Sequence, residues 1–327
     1  MRWWLAPEAN VSACNESTIE PAIHRRVAER GVRLRAHVAT GVDRIVLIPS
    51  RSRPAAGRAD RQGGIGPTMT IYIDINCDMG ESYGRWTLGH DEEVMPHITS
   101  ANIACGFHGG DPHVMHKSVE LAVAHGVAIG AHPGLPDLMG FGRRRMEVSS
   151  AELKDYHRYQ VGALWGFAKA AGATLQHVKA HGIQYFMFEE NLELGRASAE
   201  QVLELDPELI LMTMAMTKYD AECRKTKARV AAEGFADRVY ADDGQLVSRK
   251  LGKDALVSDP AKAADQAVRM VMEGKVRTIS GKVIDAKIQT ICIHGDSPGA
   301  DKIVAAVREA LVKAGAAVKP LRDWLPR

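Results

Sequence analysis

The run Ile71-Tyr72-Ile73-Asp74-Ile75-Asn76-Cys77-Asp78-Met79-Gly80-Glu81 changes character half-way along. It starts as an apolar, β-branched strand and ends with three carboxylates and an amide inside eight residues. Strand alternation puts Asp74, Asn76 and Asp78 on one side, where they could bind a cation or hold a general base. Six more short apolar runs follow: Ala101–Cys105, Val127–Ala131, Leu175–Lys179, Leu209–Thr213, Arg238–Ala241 and Gln289–Ile293. A polar or Gly-rich turn and a stretch of helical period succeed most of them. Asp111-Pro112 predicts a capped helix through His125, with Met115, Val119, Ala122 and Val123 on its buried face. Ser150 opens a helix to about Ala171, stopped by Gly172. Asp259-Pro260 caps a helix to Met272, and Pro298 precedes a last one over Ala300–Ala314.

Strands alternating with helices predict a parallel α/β fold, either an open doubly wound sheet or a closed barrel. Polar clusters follow at least four different strands. In a barrel these ends converge on one mouth, whereas an open sheet gathers only those near its switch point, so the barrel is preferred. Neither a dinucleotide fingerprint nor a Walker A pattern is present in the sequence.

The chain has 327 residues, 46% of them apolar and 25% charged, with a net charge of +2. No stretch is apolar for the length a transmembrane helix needs. Split at Met69, the charge separates into +5 over residues 1–68 and −3 over residues 69–327. A body at −3 gives no electrostatic reason to expect nucleic acid. Residues 1–68 are Arg-rich, end in an aperiodic Arg/Gly/Pro stretch and lack a signal-peptide core, so they read as a disordered leader. A start codon placed ahead of a true start at Met69 explains them better than a transit segment, because the first strand begins directly after Met69. Residues 69–327 then form a single catalytic domain. Five cysteines with no CxxC pair point to a reducing compartment, the cytoplasm.

Four histidines, His108, His132, His181 and His294, each lie just after a separate apolar run. Glycines surround His108, and Asn102 and Asp111 flank it. His132 precedes a Gly-rich turn leading to Arg143-Arg144-Arg145, where a carboxylate or phosphate could be held bidentately. His177, Lys179 and His181 share a strand face, and burying such groups without partners would be costly. His294 stands two residues before Asp296, suggesting an imidazole oriented by that carboxylate. The chemistry that fits is polar attack on a carbonyl or amide, or a His/Asp metal site activating water. No Gly-x-Ser-x-Gly elbow is present, which argues against a serine esterase.

In their order, Asp74–Glu81, Ser100–Gly106 with His108 and Asp111-Pro112, Gly130–Pro133 with Asp137 and Gly140–Arg144, and His294-Gly295-Asp296 resemble the LamB/YcsF family. Phe235–Tyr240 with Gly244, Leu246 and Arg249 adds to the likeness. The resemblance covers Met69 to about Ala317. It implies a seven-stranded parallel β/α barrel of the glycoside hydrolase/deacetylase type. It also implies lactam opening, 5-oxo-L-proline with ATP and water going to L-glutamate, ADP and phosphate, carried out together with subunits B and C. Phosphorylating the amide oxygen would turn it into a good leaving group, and partners would supply that activation. The family's Val-Lys-Pro-His-Gly-Ala-Leu-Tyr-Asn cluster here reads Val178-Lys179-Ala180-His181-Gly182-Ile183-Gln184-Tyr185-Phe186, a changed pocket wall that bears on which lactam fits.

The expected catalytic residues are Asp78 or His108 as base, Lys179 for a developing oxyanion, and His181. Asn76, Glu81, Asn102, Asp111, His132, Arg143, Arg144, His294 and Asp296 are expected around the substrate. Asp78, His108, His132 and His181 are the candidates for a divalent metal. ATP is the expected co-substrate of the complex. Two other readings stay open: a metal-dependent, deacetylase-like hydrolase without ATP, and a non-catalytic lactam- or sugar-binding regulatory protein.

Overall fold

Strand β1 (Tyr72–Met79) buries both faces, and its alternation sets the architecture. Ile73, Ile75, Cys77 and Met79 pack into the hydrophobic core, while Asp74 and Asn76 are fully buried on the opposite side. A computed structural model describes residues 70–248, 252, 254–295 and 299–327. The readings that rest on residues 1–69, Arg249, Asp296 and Pro298 lie outside those residues.

The strands run in chain order: β2 (Ser100–Ala104), β3 (Ala128–His132), β4 (Leu175–Lys179), β5 (Ile210–Met214) and β6 (Arg229–Phe235). An antiparallel pair, β7 (Lys275–Arg277) and β8 (Val283–Asp285), precedes β9 (Thr290–Cys292). Strands β1 to β6 pair in sequence and in parallel, and β9 bridges β6 back to β1 through Asp74↔Thr290 and Asn76↔Cys292. Seven parallel strands thus close a barrel. β10 (Ala317–Val318) adds to the start of β1.

Helices α1 (Pro112–His125), α2 (Ser150–Ala170), α3 (Gln184–Glu190), α4 (Leu192–Leu205), α5 (Lys218–Cys223), α6 (Pro260–Val268) and α7 (Ala300–Lys313) connect the strands. Asp111 caps α1 by accepting from the amides of His113 and Val114, and Gly126 closes it in the left-handed region. The buried face of α1 is Met115, Ser118, Val119 and Ala122. Val123 falls outside it, 44% exposed, because it lies one position beyond the helical stripe. Ser149, one residue ahead of the expected start, caps α2 in a reciprocal box with Glu152.

One expected strand is displaced. The sixth barrel strand is Arg229–Phe235, not Arg238–Ala241, and Tyr240 instead makes isolated bridges to Leu246 and Thr278. Ala231-Ala232-Glu233-Gly234 carries little β propensity, and it becomes a strand because both its neighbours supply ladder partners.

The barrel interior is polar and hydrogen-bonded. At its lower end Asp74 accepts from Thr99 Oγ1 (2.7 Å), Ser100 Oγ (2.6 Å) and Thr290 Oγ1 (2.5 Å). Burial outweighs those bonds and pushes its carboxyl up to about 6. Above it, Asn76 Nδ2 donates to Thr290 Oγ1, Asn102 Nδ2 donates to Asn76 Oδ1, and His177 Nε2 donates to Asn102 Oδ1, each at 2.7 Å. Gly130 makes room for this layer, since a Cβ there would run into the His177 ring. Asp74, Asn76, Asn102 and His177 are thus linked from layer to layer, and the ladder leads upward to Asp78.

Candidate active site

Asp78 leaves the top of β1 beside Lys179 from the end of β4. Asp78 Oδ1 accepts from Lys179 Nζ and from Asn102 Nδ2, both at 2.8 Å. Its second oxygen, Oδ2, lies 3.3 Å from His132 Nε2. Burial opposes ionisation of Asp78, but His132 and Lys179 outweigh it and hold the carboxyl well below the usual range.

Lys179 is 2% exposed and also contacts Glu233 Oε1 at 2.9 Å, Asn76 Oδ1 at 3.3 Å and Cys292 Sγ at 3.3 Å. Burial disfavours its charge, yet the neighbouring acids, Asp78 foremost, hold the amine well above the ordinary lysine range. An ammonium has three N–H bonds, and the two carboxylates take the shortest contacts. Lys179 is thus first a clamp between Asp78 and Glu233. Tyr185 donates to Glu233 Oε2 at 3.1 Å and continues the chain.

His132, His181 and His108 gather on the other side of Asp78. His132 Nδ1 donates to the Lys179 carbonyl and His181 Nε2 to the Phe141 carbonyl, each at 2.8 Å. His108 lies parallel to His181 at 3.6 Å between ring centroids and 3.3 Å from Glu81 Oε1. Burial drives both His108 and His181 well below the ordinary histidine range, so these two rings are neutral at pH 7. A side chain at Gly134 or Gly142 would strike His108 at 2.6 or 2.8 Å. Ligand atoms of Glu81, His108, His132 and His181 lie within 4.8 Å of one another, a donor set compatible with a divalent metal.

His294 completes the mouth. Its Nδ1 lies 2.9 Å from Asp237 Oδ2, and its backbone amide donates to the same oxygen at 3.0 Å. The carboxylate that orients it is therefore Asp237, beyond the end of β6, while Asp296 lies outside the described residues. Phe235 stacks on the imidazole at 5.7 Å.

A cavity of about 440 Å³ opens over these groups, lined by Asp78, His132, Lys179, His181 and His294, with Arg143 and Arg238 at its sides. Its size falls within the range of about 300–1,000 Å³ found for small-molecule sites. Asn76 and Asn102 stand beneath it in the barrel and hold Asp78 and Lys179 in place. Glu81 and His108 are buried and do not line the cavity, and two further expected residues are elsewhere. Arg144 binds Asp137 through its guanidinium and is 66% exposed, and Asp111 caps α1 and accepts from Gly84 N at 2.8 Å. Three residues of the site carried no expected role: Glu233, Tyr185 and Asp237. Asp237 sits inside the Phe235–Tyr240 stretch that resembles the family, and that was its one signal.

The LamB/YcsF family profile matches residues 73–326. The chain belongs to the LamB/YcsF family. A protein of Pyrococcus furiosus named as the A subunit of 5-oxoprolinase is 47% identical over 255 residues, covering 78% of this chain and all of that one. The protein of the same name from Thermus thermophilus is 48% identical over 249 residues, 76% of this chain and 99% of that one. The crystal structure of a lactam utilization protein from Thermus thermophilus superposes with a TM-score of 0.72 at 46% identity, covering 76% of this chain and 99% of that one. As a member of the LamB/YcsF family, the chain sets its buried ion pair and imidazole cluster at the mouth of a seven-stranded barrel. Among the described residues no helix is long and apolar enough to cross a membrane.

Proposed function

We propose that this chain is the lactam-opening component of an ATP-dependent 5-oxoprolinase, acting on 5-oxo-L-proline with partner subunits B and C in the cytoplasm. The observation that carries the reading is the buried Asp78–Lys179–Glu233 clamp at the floor of a cavity sized for a small molecule. The relatives' shared name, as 5-oxoprolinase components, supports the substrate.

A five-membered lactam is a poor electrophile. Transfer of the γ-phosphoryl group of ATP to its amide oxygen, with release of ADP, makes the ring carbon susceptible to water. Asp78 takes a proton from that water through Oδ2, since Oδ1 is already held by Lys179 and Asn102. The Lys179 ammonium keeps Asp78 ionised and offsets negative charge growing on the heteroatoms bonded to the ring carbon. The C–N bond then breaks, and His294, oriented by Asp237, gives a proton to the departing nitrogen. This yields the acyl phosphate of glutamate, which a second water hydrolyses to L-glutamate and phosphate. The phosphoryl transfer belongs to the partner subunits. Arg143, beside the cavity, pairs with the substrate carboxylate.

The test is reconstitution of the chain with subunits B and C, followed by assay of glutamate formed from 5-oxoproline with and without ATP. Glutamate released only with ATP and only with this chain present supports the reading. A complete complex that releases none overturns it.

A further inference from the structure

Backbone carbonyls fix the tautomers of two imidazoles that face each other. The Lys179 carbonyl takes the N–H of His132 at Nδ1, and the Phe141 carbonyl takes that of His181 at Nε2. The remaining nitrogens, His132 Nε2 and His181 Nδ1, are the two that face each other. They stand 3.1 Å apart. Two imidazole nitrogens at that distance share either a proton or a metal ion.

Glu81 Oε1 adds a third donor, 3.6 Å from His181 Nδ1. A tetrahedral ion with ligands at about 2.1 Å has ligand–ligand edges of about 3.4 Å, between the two separations seen here. A shared proton would satisfy one pair of these atoms, whereas a divalent ion satisfies all three. His108 lies completely buried beside these donors, its Nε2 3.3 Å from Glu81 Oε1. Its ring lies within 5° of parallel to His181 at a 3.6 Å centroid separation. An ion in the plane of one ring cannot lie in the plane of the other, so His108 flanks the ion and does not ligate it.

We infer that His132 Nε2, His181 Nδ1 and Glu81 Oε1 form a divalent-metal site of the zinc class. Two imidazoles and one carboxylate leave a fourth position free, as catalytic zinc sites do. His132 and His181 line the cavity, and Asp78 Oδ2 stands 3.3 Å from His132 Nε2. An ion there would polarise the oxygen of a bound amide. That role rests on the lactam-opening reading, but the presence of the ion does not.

The experiment uses the full chain, stripped with chelator and titrated with Zn²⁺ by calorimetry, and with Co²⁺ by visible absorption. One ion per chain is expected, with a micromolar or tighter dissociation constant and the strong visible bands of tetrahedral cobalt. Glu81→Gln and His181→Gln should each weaken Zn²⁺ at least tenfold, with unchanged far-ultraviolet circular dichroism. His108→Gln should leave the affinity within threefold. A wild-type chain that takes up no stoichiometric ion overturns the site and leaves a shared proton only. Equal weakening by His108→Gln and His181→Gln overturns the ligand set. A metal-free chain whose complex still opens the lactam refutes the ion's role in the reaction and not its site, and a metal-binding chain whose complex releases no glutamate refutes the lactam reading alone.

Discussion

Nδ1 of His294 lies 2.9 Å from Oδ2 of Asp237, 57 residues earlier in the chain, and the same carboxylate accepts the backbone amide of His294. Two bonds to one carboxyl group fix both the ring and the strand end that carries it. Asp237→Asn keeps the shape but lets the amide nitrogen face Nδ1, which selects the other tautomer. ATP-dependent glutamate release by the reconstituted complex should fall about a hundredfold, with the melting temperature little changed. Activity within twofold of wild type would show that His294 does not need this orientation.

Lys179 is the counter-ion of two buried carboxylates, so its removal acts on stability as well as on turnover. Lys179→Ala leaves Asp78 and Glu233 facing each other without a cation and should cost about 3–5 kcal/mol in urea unfolding. Lys179→Ala combined with Glu233→Gln and Asp78→Asn removes the stranded charges and should recover most of that loss while remaining inactive. A single variant as stable as wild type would contradict the clamp.

Adjacent arginines have different work. Arg143 lines the cavity, while Arg144 is tied to Asp137 on the outside of the same loop. Arg143→Ala should raise KM for 5-oxoproline at least tenfold. Arg144→Ala should change it less than threefold. Steady-state kinetics on the two variants decides between them, and equal effects would mean that the loop moves as one unit.

The pH dependence of stability has a traceable part in His157 of α2, whose Nε2 donates to Gln184 Oε1 at 2.7 Å. Burial lowers its pKa from 6.5 to about 4. A base depressed on folding stabilises the native state above pH 6.5, and that contribution is lost as pH falls toward 4. Between pH 7 and pH 4.5 the loss amounts to about 2–3 kcal/mol. Asp74 and Asp91, both raised to about 6, act in the opposite sense, stabilising at low pH and losing that effect as pH rises. The comparison is therefore wild type against His157→Gln, whose unfolding free energy should fall less steeply on acidification. Parallel curves would show that His157 is not buried neutral.

Much of the barrel was readable because period two and period 3.6 survive in the sequence. Asp111-Pro112 marked the start of α1, and the alternation of Asp74, Asn76 and Asp78 marked the barrel interior. β6 was not readable from its own residues. Its Ala, Glu and Gly form a strand only because β5 and β9 flank it, and Glu233 escaped notice with it. For His294 the near carboxylate in the sequence, Asp296, stood in for the one the fold supplies, since contacts across 57 residues leave no local pattern. The arginine run looked uniform as sequence, yet one side chain faces the cavity and its neighbour a buried aspartate.

The seam of the barrel has a consequence for synthesis. β1 leaves the ribosome early, carrying Asp74, Asn76 and Asp78, but its closing partner β9 is made more than two hundred residues later, with Thr290 bonding Asp74 across a separation of 216. Pairings so distant form late and slowly. Until they form, Asp74 lacks one of its three hydroxyl donors, Lys179 lacks Cys292, and His294 has no place beside Asp237. Chains that end before β9 therefore lack both the closed barrel and the completed cluster at its mouth.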